Sequence, residues 1–132
     1  MSRGAAEHKP SATELIDSLR KGLAYEELEA LQEGLEVPLN RVAELLDMSK
    51  ATLQRRRNAG VLTVAESDRV VRYARLLARA VEVMESEEAA RAWLGAPQFG
   101  LGGEEPLEYA RTEVGAREVE DLLGRIDAGV YA

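Results

Sequence analysis

The residues of this chain best suited to do chemistry lie between positions 49 and 57. Ser49, Lys50, Ala51, Thr52, Gln54, Arg55, Arg56 and Arg57 bring together four cations, one amide and two hydroxyls within about two and a half turns of helix. Guanidinium and ammonium groups match phosphates and guanine edges, an amide matches adenine, and hydroxyls serve either. The chemistry of the set is nucleic-acid recognition. Lys50, Ala51, Gln54 and Arg55 are expected to face the major groove from the N-terminal half of a recognition helix. Thr52, Arg56 and Arg57 are expected to reach phosphates or the groove edge, and Ser49 to cap the helix. Catalysis has no comparable cluster. His8 is the single histidine, and there is no cysteine. The Gly-rich FGLGG at 99–103 lacks both a preceding strand and a following Lys-Ser/Thr, so it is no phosphate loop. The expectation is a protein that is not an enzyme and needs neither cofactor nor metal.

The elements that must position those residues are short helices. Pro38 stands before LNRVAELL, where a helix start is natural. Ala43 is the small residue that lets a second helix cross the first, and Met48 and Leu53 are the apolar locks of the crossing. Asp47 occupies the turn, where many helix-turn-helix motifs place Gly; Asp tolerates the left-handed region better than most residues. Gly60 ends KATLQRRRNAG. A plain helical hairpin with a solvated arginine cluster gives a similar pattern, but capping, core spacing and local charge together favour the DNA reader.

Val64–Glu85 reads as the longest helix and the organiser of the chain. Val70, Ala74, Leu77, Val81 and Met84 share one face, widened by Val71, Leu76 and Ala80. Thr63 with Glu66 makes a capping box, and Arg69, Arg72, Arg75 and Arg79 line another side. Two amphipathic helices are expected upstream, 12–21 ended by Gly22 and 25–33 ended by Gly34. Downstream, Ser86 caps a helix through Trp93, whose place is in the core. Residues 96–103 form a loop, Pro106 opens PLEYARTE, and Gly115 separates it from AREVEDLLGRIDAG. Pro106, Leu107 and Gly115 read as fold-defining. The division expected is a disordered lead at 1–11, a helix-turn-helix domain at 12–63 and a second helical domain at 64–132, all-α throughout.

Charge is distributed unevenly. The chain carries −7 overall, with −4 over 1–36, +3 over 37–63 and −6 over 64–132. A basic island in an acidic chain is a local electrostatic footprint rather than a general nucleic-acid coat. Hydrophobic residues are 45% but aromatics only 5%, so the core must be built from Leu, Val and Ala. No apolar run is long enough to span a membrane, and MSRGAAEHKPSA has no apolar signal region. The expected setting is the cytoplasm.

Residues of the second half match a known pattern. They are Glu66-Ser67-Asp68-Arg69, Ala90, Trp93-Leu94, Pro97, Leu101-Gly102-Gly103, Pro106-Leu107, Thr112, Gly115, Val119, Leu123, Arg125-Ile126 and Gly129. Through them the chain resembles the C-terminal toxin-binding domain of the Xre/MbcA/ParS-like antitoxins. Ser49, Thr52-Leu53 and Arg55-Arg56 add a resemblance to the Xre-like helix-turn-helix of the same family. The resemblance implies an Xre-like helix-turn-helix part joined by a long helix to a small helical toxin-binding domain. It implies the antitoxin of a type II toxin–antitoxin system, whose partner is most often a RES-domain toxin that attacks NAD⁺. In the ParS branch the partner is a ParT-like toxin that transfers ADP-ribose. Family members block the toxin's NAD site with their C-terminal region, repress their own operon through DNA binding and commonly form homodimers.

An electropositive NAD pocket would attract the acidic second half. Arg125, Ile126, Gly129, Val130, Tyr131 and Ala132 are the expected toxin-binding plug, with Ile126 and Val130 as final core contacts the competing reading. A stand-alone helix-turn-helix transcriptional regulator is the alternative for the whole chain.

Overall fold

One 21-residue helix runs through the molecule and is touched by nearly every other element. In the computed structural model, which describes residues 11–129, this is α5, Val64–Met84. Before it come α1 (Ala12–Lys21), α2 (Tyr25–Leu35), α3 (Leu39–Leu45) and α4 (Lys50–Ala59). After it come α6 (Glu87–Leu94), a 3₁₀ turn at Phe99–Leu101, α7 (Pro106–Tyr109) and α8 (Glu113–Asp127). The fold is all-α: a helix-turn-helix region followed by a helical C-terminal region.

Local sequence sets most helix ends. Thr63 accepts from the Glu66 backbone N–H while the Glu66 side chain accepts from the Thr63 N–H, closing the capping box at the head of α5. Ser49 and Ser86 accept from Thr52 and Ala89 in the same manner. Asp47 adopts φ 60°, the left-handed conformation its place in the turn requires. The Met48 N–H reaches back to the Ala43 carbonyl at 2.8 Å.

Three sequence expectations are corrected. The helix at 25–33 continues to Leu35 and ends on Glu36, not Gly34. Gly34 lies inside the helix, at a place where a Cβ would sit 2.9 Å from Leu77 Cδ2. Gly115 likewise does not separate two helices. Thr112 caps α8 and Gly115 lies in its first turn, where a Cβ would fall 1.8 Å from the Tyr109 carbonyl oxygen. The apolar face of α5 is also rotated from the expected one. Val70, Tyr73, Leu76 and Ala80 are buried, whereas Ala74 is exposed and Leu77, Val81 and Met84 are partly covered. Ala74, Leu77 and Val81 line an open groove of about 490 Å³ between α2, α5 and α6.

The buried side chains form one continuous cluster. Leu28, Leu31, Leu35, Val42, Leu45, Leu46, Met48, Leu53 and Leu62 fill the first half. Leu94, Leu101, Leu107, Val119, Leu122 and Leu123 fill the second, and α5 is shared by both. Each fully buried Leu contributes roughly 1.5–3 kcal/mol. Tyr73 is fully buried, and its hydroxyl donates to the Leu107 carbonyl at 2.9 Å. Burial pushes that phenol well above its ordinary range. The junctions either side of α1 and α5 are stitched by Leu62 N–H to Leu23 O, Leu23 N–H to Ser67 Oγ and Tyr25 N–H to Gly60 O. Gly22, at φ 89°, is needed there because a Cβ would lie 2.1 Å from the Leu62 carbonyl oxygen. Among the described residues no helix is long and apolar enough to cross a membrane.

Candidate nucleic-acid interface and partner surface

The α4 helix is anchored by one apolar side chain and presents the rest of its surface. Leu53, 7% exposed, is its only buried residue. Lys50, Ala51, Gln54, Arg55, Arg57 and Asn58 are exposed; Ala51, Arg55 and Asn58 lie on the side of the helix away from Leu53, while Lys50 and Arg57, three and four residues from it, flank it. Their side chains are organised among themselves. Gln54 Nε2 donates to Asn58 Oδ1 at 3.1 Å, and Arg55 Nη2 donates to Thr52 Oγ1, also at 3.1 Å. Arg57 lies 5.9 Å over the Tyr25 ring, a cation–π contact that holds its guanidinium near the helix without neutralising it. Ser49 faces solvent at the helix N-terminus, where unpaired N–H groups favour an anion. Neighbouring α3 adds Asn40 and Glu44, which share a cleft of about 510 Å³ with Lys50, Gln54 and Arg57.

Arg56 is engaged elsewhere. It points away from that face, and its Nε donates to Glu66 Oε1 at 2.7 Å. The Glu66 side chain is 7% exposed. Burial works against its charge, but the Arg56 hydrogen bond and the Thr63 N–H outweigh it and hold the carboxyl below the usual range. Arg56 is therefore a strut between α4 and α5. Among the eight residues named from sequence, Lys50, Ala51, Gln54, Arg55 and Arg57 form one exposed surface, Ser49 and Thr52 build the helix start, and Arg56 departs from the set.

The arginine stripe of α5 is the feature that residue types alone did not explain. Arg69 Nη1 donates to the Leu46 carbonyl in the helix-turn-helix turn at 3.2 Å. Arg72 donates to the carbonyls of Ala110 and Arg111, and its Nε lies 3.4 Å from Glu113. Arg75 pairs with Glu120 and Arg79 with Asp127. In order along α5, these four cations hold the turn, the α7–α8 junction and then α8 itself. The second half is also tied to α3. Arg41 bonds Glu108 at 2.8 Å and Glu105 at 3.1 Å. Burial acts to lower the Arg41 pKa, yet these carboxylates outweigh it and hold it above its ordinary value. Hydrogen bonds from Arg41 and Arg111 keep Glu108 below the usual carboxylate range. The spacing of Arg69, Arg72, Arg75 and Arg79 was visible in the sequence; their acceptors, backbone carbonyls for the first two and carboxylates of α8 for the last two, were not.

The expected toxin-binding plug is only partly described. Arg125 and Ile126 lie on the last turn of α8 and are partly covered, and Ile126 packs against the core. Gly129 is exposed at φ 80°, with its N–H on the Ile126 carbonyl. Val130, Tyr131 and Ala132 lie outside the described residues, as do His8 and nearly all of the expected lead. Trp93, expected in the core, is partly covered and packs against it.

Two family models match the chain, side by side. Residues 14–75 match the antitoxin Xre-like helix-turn-helix domain. Residues 79–129 match the antitoxin Xre/MbcA/ParS C-terminal toxin-binding domain. An antitoxin Xre of Yersinia enterocolitica is 31% identical over 122 residues, covering 91% of this chain and 82% of its own length. A Prs ADP-ribosylating antitoxin of Sphingobium sp. is 26% identical over 95% of this chain and 85% of its own. An antitoxin Xre of Pseudomonas putida is 37% identical over 68 residues, 52% of this chain and 43% of its own. A helix-turn-helix with an exposed cationic α4, tied through α5 to a matched toxin-binding fold and aligned nearly end to end with an Xre antitoxin, places this chain in the Xre/ParS-type family of antitoxins, as the antitoxin of a toxin–antitoxin system.

Proposed function

We propose that this antitoxin works in a type II pair, neutralising a RES-type, NAD⁺-degrading toxin by blocking its NAD site and repressing its own operon through α4. The chain is the inhibitor in this reading and not the catalyst. The repression half is supported above all by the exposed surface of Lys50, Gln54, Arg55 and Arg57, which is free of the core and carries both phosphate-binding and base-reading groups. The toxin-blocking half is supported by the acidic second region and by the exposed Gly129 that follows the end of α8.

A homodimer completes the repressor. One α4 spans too few base pairs for a specific operator, whereas two related by a two-fold axis read two half-sites. The cytoplasm is the compartment where such an operator and such a toxin would meet it.

The Sphingobium relative gives the second reading its support, because its name joins antitoxin to ADP-ribosylation. In that reading the partner is a ParT-like toxin that moves ADP-ribose onto a protein. A stand-alone transcriptional regulator is the third reading, and lacks a role for the toxin-binding region. The test is expression of the neighbouring gene with and without this chain. Growth arrest by the neighbour alone, relieved on co-expression, supports the antitoxin pair. A harmless neighbour contradicts it. Incubation of the purified chain with NAD⁺ tests whether it is inert by itself.

A further inference from the structure

Phe99 is the chain's single phenylalanine, and the residue is 89% exposed. One exposed apolar residue is ordinary on a protein surface; the mounting of this one is not. The turn beneath it is held from both sides. Gln98 and Glu104 face each other in an isolated antiparallel bridge, with the Gln98 N–H on the Glu104 carbonyl at 3.1 Å. The Gly103 N–H returns to the Gln98 carbonyl at 2.9 Å, and the Gly102 N–H to the Phe99 carbonyl at 3.1 Å. The Gln98 side-chain amide donates to the carbonyls of Trp93 and Ala96. Leu101, only 4% exposed, pins the turn into the core. Gly102 and Gly103 supply the positive φ values, 69° and 88°, that close the loop. The backbone that carries Phe99 is therefore preset, and little entropy remains to be lost when the ring is buried by a partner.

Acidic groups border the same turn, beginning at Glu104, the bridge partner of Gln98. Pro97, Gly103, Glu104, Glu105 and Glu108 line a cleft of about 580 Å³ with Arg41. Glu105 and Glu108 contact Arg41, yet each side chain stays 40% exposed, and Glu104 forms no ion pair among the described residues. The cleft carries an excess of negative charge beside the turn on which Phe99 is mounted.

We propose that Phe99 is an anchor for the toxin, entering an apolar pocket on that protein whose rim carries Lys or Arg facing the Glu104–Glu108 cleft. This rests on the antitoxin reading above and adds a contact surface separate from the C-terminal tail. Aromatic anchors seated in desolvated pockets carry a large share of interface energy, while rim charges act mainly on the association rate.

The experiment is a titration of the purified full chain against its purified toxin, with Phe99→Ala and Glu104→Gln compared to the parent. Phe99→Ala is expected to weaken Kd by roughly thirtyfold while leaving the Tm unchanged, since the ring supports nothing beneath it. Glu104→Gln is expected to slow association about two- to threefold at low salt, an effect that vanishes at high salt. Binding of Phe99→Ala within twofold of the parent overturns the proposal and leaves the antitoxin reading intact. So does a changed sedimentation coefficient of the variant alone, which would seat Phe99 against a second copy, or a loss of operator binding. A parent chain that does not bind the toxin overturns both readings.

Discussion

The Arg56–Glu66 pair gives a prediction that separates a structural arginine from its neighbour Arg55, proposed above to read DNA. Glu66 Oε1 accepts both the Arg56 Nε at 2.7 Å and the Thr63 N–H at 2.9 Å. Glu66→Ala removes half of a capping box, about 0.5–1 kcal/mol. It also strands the Arg56 guanidinium. A fully buried pair broken this way costs about 3–5 kcal/mol, but the Arg56 side chain is 23% exposed and can rehydrate, so about 1–2 kcal/mol is the appropriate share. The sum is about 1.5–3 kcal/mol. For a domain of this size that is a fall in Tm of roughly 5–12 °C. Arg56→Ala leaves the carboxylate nearly buried with one backbone donor and should cost a similar amount. Arg55→Ala, on an exposed residue whose side chain bonds Thr52, should stay within about 0.5 kcal/mol. The double variant Arg56→Ala/Glu66→Ala should be less destabilised than the sum of the singles, by about 1–2 kcal/mol of coupling. Thermal melts of the four proteins decide the matter. Strict additivity, or shifts at Arg56 and Glu66 no larger than at Arg55, would refute the strut.

Other perturbations follow from the same contacts. Gly115→Ala must push the start of α8 off the Tyr109 carbonyl; it should cost more than about 3 kcal/mol and be read as a lost or early melting transition. Glu66 and Glu108 have folded pKa values below their ordinary ones, so the unfolded chain takes up protons first as pH falls. Their stabilisation is present above the ordinary carboxylate pKa and lost as pH drops through the lowered values. Melts across that acid range should show a smaller decline for Glu66→Gln than for the parent. Gln54→Ala with Arg55→Ala should abolish binding to the protein's own promoter in a mobility-shift assay while toxin neutralisation continues. Deleting Gly129–Ala132 should weaken neutralisation in a growth assay and leave promoter binding unchanged.

What was legible in the sequence was local. Ser49, Thr63, Ser86 and the Asp47 turn are settled by hydrogen bonds to neighbours three to five residues away, and each is where residue type places it. The matched toxin-binding pattern was legible as well, because its residues recur at fixed spacing. What was not legible depends on distant partners. Gly34 and Gly115 look like stops by type, but each is small because another element approaches, Leu77 in one case and the Tyr109 carbonyl in the other. The 70–74–77–81 stripe is apolar, but spacing cannot say which side α8 covers and which side stays open. Arg56 belongs to a cationic run by type and to an internal ion pair by position. At the candidate site, the exposed surface of α4 was readable from capping and charge, whereas the clamps from Arg41 and Arg69 required knowing which turns lie beside them.

The cellular NAD⁺ content tests the central claim most directly. The neighbouring gene is induced alone and then together with this chain, and NAD⁺ is followed over time beside growth. The account predicts a collapse of NAD⁺ with the neighbour alone and its recovery on co-expression. Arrest that is relieved on co-expression with NAD⁺ undiminished throughout would contradict the NAD⁺-degrading partner and move the pair to protein ADP-ribosylation. A neighbour that neither lowers NAD⁺ nor slows growth would contradict the pairing itself.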